Sequence, residues 1–209
     1  MPTLLIQSGS DPTSEMACEI DTAFDPWDND ALLEFCRKNS ELKIERTARG
    51  EIVIMHPTGW EGGTYDLEIA GQLHDWAKKD GRGIATGSAA GFILPNGAER
   101  APDAAWILRE RVAKVPREQR KKFLPLCPDF AVELRSESDS LPKLQAKMEE
   151  YIANGAELGW LIDPIKKQVH VYSADGEAAV HDAPASIEGT GNLAGFVLEL
   201  HPIWSDPVE

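Results

Sequence analysis

The chain has 209 residues, with 21 Lys+Arg against 35 Asp+Glu and a formal charge of −14. Hydrophobic residues make up 42% and charged residues 27%, which excludes a disordered chain and fits one globular domain. No apolar run reaches the roughly 20 residues of a membrane span, and so acidic a chain argues against a phosphate-bearing partner unless its charge is unevenly spread.

Residues 1–24 read as an acidic flexible arm, and residues 25–209 as a single domain. Asp25-Pro26-Trp27-Asp28 resembles a helix start. Residues 42–55 predict a hairpin that turns at Ala48-Arg49-Gly50. A Gly-rich stretch from Gly59 to Gly63 leads to a helix over 65–80, stopped by Gly81. Strands follow over 83–86, 91–94 and 103–108, then a charged excursion over 109–122 of helix plus loop. A strand over 130–134, a helix over 141–154 and a wholly apolar strand over 158–162 suggest a parallel crossover near the sheet centre. Shorter strands over 168–172, 177–181 and 196–200 complete the pattern. The expected fold is α/β: a mixed central sheet flanked by helices, with an added N-terminal helix and hairpin.

The start Met1-Pro2-Thr3 has no basic n-region of a signal peptide, so a soluble, cytoplasmic protein is expected. Cys18, Cys36 and Cys127 form no C-x-x-C pair. They suggest neither a disulfide framework nor a zinc knuckle. The five histidines show no H-E-x-x-H, and no P-loop, dinucleotide fingerprint or G-x-S-x-G occurs.

The chemistry concentrates in carboxylates on strands. Asp103 opens one strand. In Asp129-Phe130-Ala131-Val132-Glu133-Leu134-Arg135 the alternation puts Glu133 and Arg135 on one face. A Glu inside an apolar strand is costly without a cation, a metal or water. Two such carboxylates on neighbouring strands could hold Mg²⁺. The bland reading pairs Glu133 with Arg135, or points it to solvent. On the following helix, Lys147 borders the apolar stripe of Leu144, Met148 and Tyr151, so it either snorkels outward or reaches Glu133.

These residues together resemble a known family. Pro102-Asp103, Glu133-Leu134-Arg135-Ser136, Ser138-Asp139, Lys147 with Tyr151, and Gly159-Trp160-Leu161-Ile162-Asp163-Pro164 are similar to the Uma-two family of putative restriction endonucleases. That family is a branch of the PD-(D/E)XK nuclease superfamily, and the likeness spans about residues 25–203. It implies a restriction-endonuclease-like fold and a Mg²⁺- or Mn²⁺-dependent endonuclease-like phosphodiesterase acting on DNA. Asp103, Glu133 and the main-chain carbonyl of Leu134 would hold the metal. Lys147 would take the role of the superfamily lysine, whose usual position is Arg135 here. Arg135 and Glu68 are accessory candidates, Glu68 as the acid of the first core helix. The likeness also implies a homodimer, since two active sites cut two strands. Asp66 replaces a frequent family His, and Glu137 replaces a Pro beside the site. Both departures support the alternative of a weak or inactive nuclease-fold module that binds DNA or protein.

The acidity is indeed uneven. Residues 1–34 carry eight acids and no base, and residues 168–209 seven acids and no base. Between them lie all 21 bases against 20 acids. The 109–122 segment has seven bases and two acids, which makes Arg109, Arg111 and Lys114 candidates for contact with nucleic acid. A solvated charged loop explains the same residues.

Overall fold

The computed structural model describes residues 4–6, 28–40, 42–55, 58–174, 176–206 and 208. Of the expected arm over 1–24, only β1 (Leu4–Ile6) is described, and the rest lies outside the described residues. Helix α1 (Asn29–Lys38) is capped by Asp28, whose carboxylate accepts the Asp30 and Ala31 N–H groups at 2.9 and 3.1 Å. Residues 25–27, the expected helix start, lie outside the described residues.

Strands β2 (Lys43–Arg46) and β3 (Ile52–Met55) form the expected hairpin. Gly50 takes φ 83° in its turn, a conformation that favours glycine. β1 runs parallel to β3 on the far side.

Helix α2 (Trp60–Asp80) begins earlier than the sequence predicts, so most of the Gly-rich stretch is helix rather than loop. Its buried stripe of Ile69, Leu73 and Ala77 docks on the sheet. Once docked, the helix extends backward at the cost of only one residue's freedom per hydrogen bond. The Gly63 N–H already bonds the Gly59 carbonyl. A Cβ on Gly62 would lie 2.3 Å from Thr58 Oγ1, so a side chain there requires the exposed Thr58 to shift. The helix ends at Gly81, φ 75°, as its sequence suggests.

Strand β4 (Gly83–Gly87) follows, then β5 (Phe92–Ile93) and β6 (Glu99–Arg100), which pair across the Pro95-Asn96-Gly97 turn. β6 also pairs with β2 through Arg46 and Glu99, giving a five-stranded sheet in the order β1-β3-β2-β6-β5. β6 has no hydrophobic pattern to announce it, since it is only two charged residues long.

The remaining elements are β7 (Ala104–Leu108), α3 (Arg109–Ala113), β8 (Phe130–Leu134), α4 (Leu141–Ala153) and β9 (Leu158–Asp163). After them come β10 (Gln168–Ser173), β11 (Gly176–Asp182), β12 (Ser186–Glu188), β13 (Val197–Glu199) and α5 (His201–Trp204). The main sheet is mixed, in the order β11-β10-β9-β8-β7-β4. β8 and β9 are parallel and joined by α4, the expected crossover. Every residue of β9 is buried: the apolar run over 158–162 requires it at a central position, and Asp163 is buried with Arg135 as its partner.

The two faces of the sheet carry different cores. Phe130, Val132, Trp160 and Ile162 pack toward α2 with Trp106 and Phe196. The Trp160 and Phe196 rings stack at 5.6 Å. Ala131 and Leu161 face the other way, onto Met148 and Tyr151 of α4. Glu133 alternates with Val132, so it too points toward α4. Among the described residues no helix is long and apolar enough to cross a membrane.

Candidate active site

Antiparallel pairing brings the two strand carboxylates together. Ala104 is opposite Val132, so one residue further along Asp103 stands opposite Glu133 on the same face. Asp103 Oδ2 accepts the Leu134 N–H at 2.8 Å, and Oδ1 takes the Lys43 ammonium at 2.7 Å. Glu133 is 3% exposed. Its Oε1 accepts the Tyr151 hydroxyl and the Lys147 ammonium, both at 2.9 Å. Lys147 and Tyr151 are one helical turn apart, which is why one face of α4 reaches one carboxylate with both. Glu133 therefore pairs with Lys147, not with Arg135 or solvent.

The Lys147 ammonium has a second partner, Glu45 Oε1, at 2.8 Å. Lys43 and Glu45 alternate on β2 and share the face turned to the main sheet, while Ile44 packs toward Leu32 of α1. Glu45 is buried but fully used. It also accepts the Ala101 N–H at 2.9 Å and Arg100 Nη1 at 3.1 Å, and Arg100 continues to Glu150 at 2.6 Å. Burial alone would raise the Glu45 carboxyl. Lys147 and Arg100 outweigh it and hold the group at about 2.

Other carboxylates are pushed the opposite way. Burial first, then the charges of Asp103 and Glu45, carry Glu133 up to about 7 against the opposing pull of Lys147. Asp66, on the first turns of α2, lines the same cleft; burial and the Asp103 charge raise it to about 7. Its Oδ1 is buried without a hydrogen-bond partner. Glu99 is raised to about 8 by burial and by Glu45, and its Oε2 is likewise buried without a partner. Burial lowers and the neighbouring carboxylates raise both lysines, and the carboxylates win at Lys43 and Lys147 alike. The groups open onto a cleft of about 1840 Å³ that also receives the exposed Lys143.

The sequence candidates are thus only partly gathered. Asp103, Glu133 and Lys147 line one cleft. Arg135 lies at its edge but is committed elsewhere: Nη1 bonds the fully buried Asp163 at 2.7 Å. Glu68 accepts from Gln72, whose amide also donates to the Glu199 carbonyl, so it faces β13 and not the cleft. The acids of α2 that line the cleft are Glu61 and Asp66, and of these Asp66 is the one with a buried, unpartnered oxygen. Arg109 and Arg111 sit after β7, whereas Asp103 sits before it. The five residues of that strand separate the two ends by roughly 17 Å. Arg109 bonds the carbonyls of Gly81 and Gly83 at 3.3 Å, closing the end of α2. Arg111 is bound to Asp129 and to the Cys127 carbonyl. Lys114 is exposed.

Sequence reasoning missed Lys43, Glu45 and Arg100 as site residues. The only signal was a short strand with both charges on one face, which normally means solvent.

Among the described residues, the side chains bonded to Asp103 and Glu133 are Lys43, Lys147 and Tyr151, which offer ammonium or oxygen. Among the described residues no three His, Cys, Asp or Glu side chains are grouped to hold a metal unaided. The donor set fits a hard cation that takes one or two carboxylates, a carbonyl and waters. The unpartnered Asp66 oxygen lines the same cleft.

Comparison with known proteins agrees with this architecture. None of the curated proteins matches the chain. A solved structure described as a putative nuclease belonging to DUF820, from Anabaena variabilis, superposes with a TM-score of 0.65 at 22% identity, over 77% of this chain and 89% of that one. That likeness shows a shared fold. The family model of Uma2, described as putative restriction endonuclease, matches residues 29–201, a span that holds every one of the cleft groups named above. The chain belongs to the Uma2 family.

Proposed function

We propose that this protein is a divalent-cation-dependent endonuclease-like phosphodiesterase that hydrolyses DNA. The observation that carries the reading is the meeting of Asp103, Glu133 and Lys147, from a strand start, a strand and a helix, in one cleft. Asp103, Glu133 and the Leu134 carbonyl would hold Mg²⁺ or Mn²⁺. Such a cation, when bound, supplies charge stabilisation at a phosphoryl oxygen and acidifies bound water.

The chain's own residues have separate tasks. Lys147 is held protonated by Glu133 and Glu45, so it acts as an ammonium. It orients the attacking water by donating a hydrogen bond and offsets charge on the phosphorane. It is no base in this setting. Glu45 and Tyr151 keep Lys147 and Glu133 in register. Arg135 positions the loop after β8 through Asp163 and does not reach the substrate.

The test is cleavage of supercoiled plasmid with Mg²⁺ or Mn²⁺. Wild type nicks and Glu133→Ala does not; equal nicking by both proteins overturns the reading.

One observation favours the second reading, a non-catalytic nuclease-fold module. Lys43 and Lys147 already neutralise Asp103 and Glu133 without any cation. A module of that kind binds no Mn²⁺ at millimolar concentration, which calorimetry decides.

A further inference from the structure

Lys43 belongs to the N-terminal hairpin, yet its ammonium sits 2.7 Å from Asp103 Oδ1 in the main site. Asp103 Oδ2 accepts the Leu134 N–H and Oδ1 accepts the Lys43 ammonium, so a cation that approaches this carboxylate meets a positive charge already paired with it. The two lysines are held differently. Lys147 is clasped by two carboxylates, and its side chain is 11% exposed. Lys43 has one carboxylate at hydrogen-bond distance, and its side chain is 29% exposed toward the cleft. Its backbone is fixed by the β2–β3 ladder, opposite Met55, so the stem can swing but cannot leave.

We propose that Lys43 is a built-in rival of the divalent cation at Asp103, and that a bound cation releases its ammonium to a phosphate of the nucleic-acid substrate. The inference rests on the proposed function. A doubly charged ion held by Asp103 would repel the ammonium paired with that carboxylate. The displaced group keeps three donors on a flexible stem at the cleft mouth, the arrangement by which a lysine holds phosphate as a point charge. The N-terminal hairpin is then a working wall of the site. Cation and substrate binding are linked through one side chain: the cation frees the group that the substrate needs.

The experiment uses the full chain. Mn²⁺ is titrated calorimetrically into wild type, Lys43→Met, Lys43→Gln, Lys43→Arg and Asp103→Asn, each checked by circular dichroism. Lys43→Met and Lys43→Gln bind Mn²⁺ about tenfold more tightly than wild type, since a competing charge is gone. Lys43→Arg keeps that charge and shows no such gain. With Ca²⁺ in place of Mn²⁺, the two neutral variants bind a short DNA duplex about tenfold more weakly. Their salt dependence falls by about one phosphate contact. Unchanged or weaker Mn²⁺ binding by both neutral variants overturns the proposal, as does an unchanged Kd for the duplex. Loss of binding in Asp103→Asn alongside an unaltered Lys43→Met overturns this inference alone. Absence of Mn²⁺ binding by wild type overturns the functional reading and this inference with it.

Discussion

Lys147 Nζ lies 2.9 Å from Glu133 Oε1, with the two side chains 11% and 4% exposed. Neither charge has enough water to stand alone, and each is tolerable only because the other is present. The β8–α4–β9 crossover makes the pair: it lays α4 over the strand face that carries Glu133.

Removing the lysine therefore costs stability. Lys147→Met leaves Glu45 and Glu133 buried without their shared cation, a loss of about 3–5 kcal/mol. Urea unfolding measures it. Adding Glu133→Gln recovers part of the loss, because the orphaned charge is removed. If the double variant is less stable than the single, the pair does not govern this region.

Asp103→Asn keeps the size and the Leu134 hydrogen bond but removes the charge that Lys43 faces. Mn²⁺ binding is lost, and plasmid nicking falls at least about a hundredfold, the scale of losing a group that stabilises transition-state charge. Thermal unfolding monitors whether the fold survives the change.

Arg135→Met separates structure from chemistry. Asp163 is fully buried, and Arg135 is its salt-bridge partner, so the substitution destabilises by about 3–5 kcal/mol. Below the new unfolding temperature, cleavage per folded molecule is retained within about threefold, since the role assigned to Arg135 is support rather than substrate contact. A large loss of turnover in well-folded protein would show that Arg135 acts on the substrate and not through support alone.

Glu99 predicts a pH dependence. Its folded pKa, about 8, lies above the ordinary carboxyl value of 4.5. The folded state then binds more protons than the unfolded one between those values. Its favourable contribution is whole below about 4.5 and disappears as pH rises through about 8. Glu99→Gln cannot ionise, so its melting temperature should fall less than that of wild type between pH 6 and pH 9. Parallel curves would show that Glu99 is not a source of the alkaline loss.

Much of this fold was legible in the chain. β8 matched its predicted bounds, 130–134, because the largely apolar Phe130-Ala131-Val132-Glu133-Leu134 is bounded by Asp129 and Arg135 and is rich in strand-forming residues. The run over 158–162 is wholly apolar, and such a run has to be covered on both faces. The order Asp103, Glu133, Lys147 was readable too, since local periodicity sets which face each residue takes.

What periodicity cannot supply is which faces meet. Lys43 and Glu45 sit on a strand that reads as half-solvated, and they became site residues when the N-terminal sheet closed against α4. The same limit explains Glu68 and Asp66. Both are acids on α2, but docking through Ile69, Leu73 and Ala77 turned Asp66 to the cleft and Glu68 to β13. Arg109 and Arg111, which open the basic 109–122 segment, are close to Asp103 in sequence, yet a strand's length from it in space, because an extended chain carries its two ends apart. Composition, element order and the two strand carboxylates are local properties, and the linear chain holds them. The partners of those carboxylates are long-range pairings between oppositely charged, desolvated groups, and they exist only once separate elements pack.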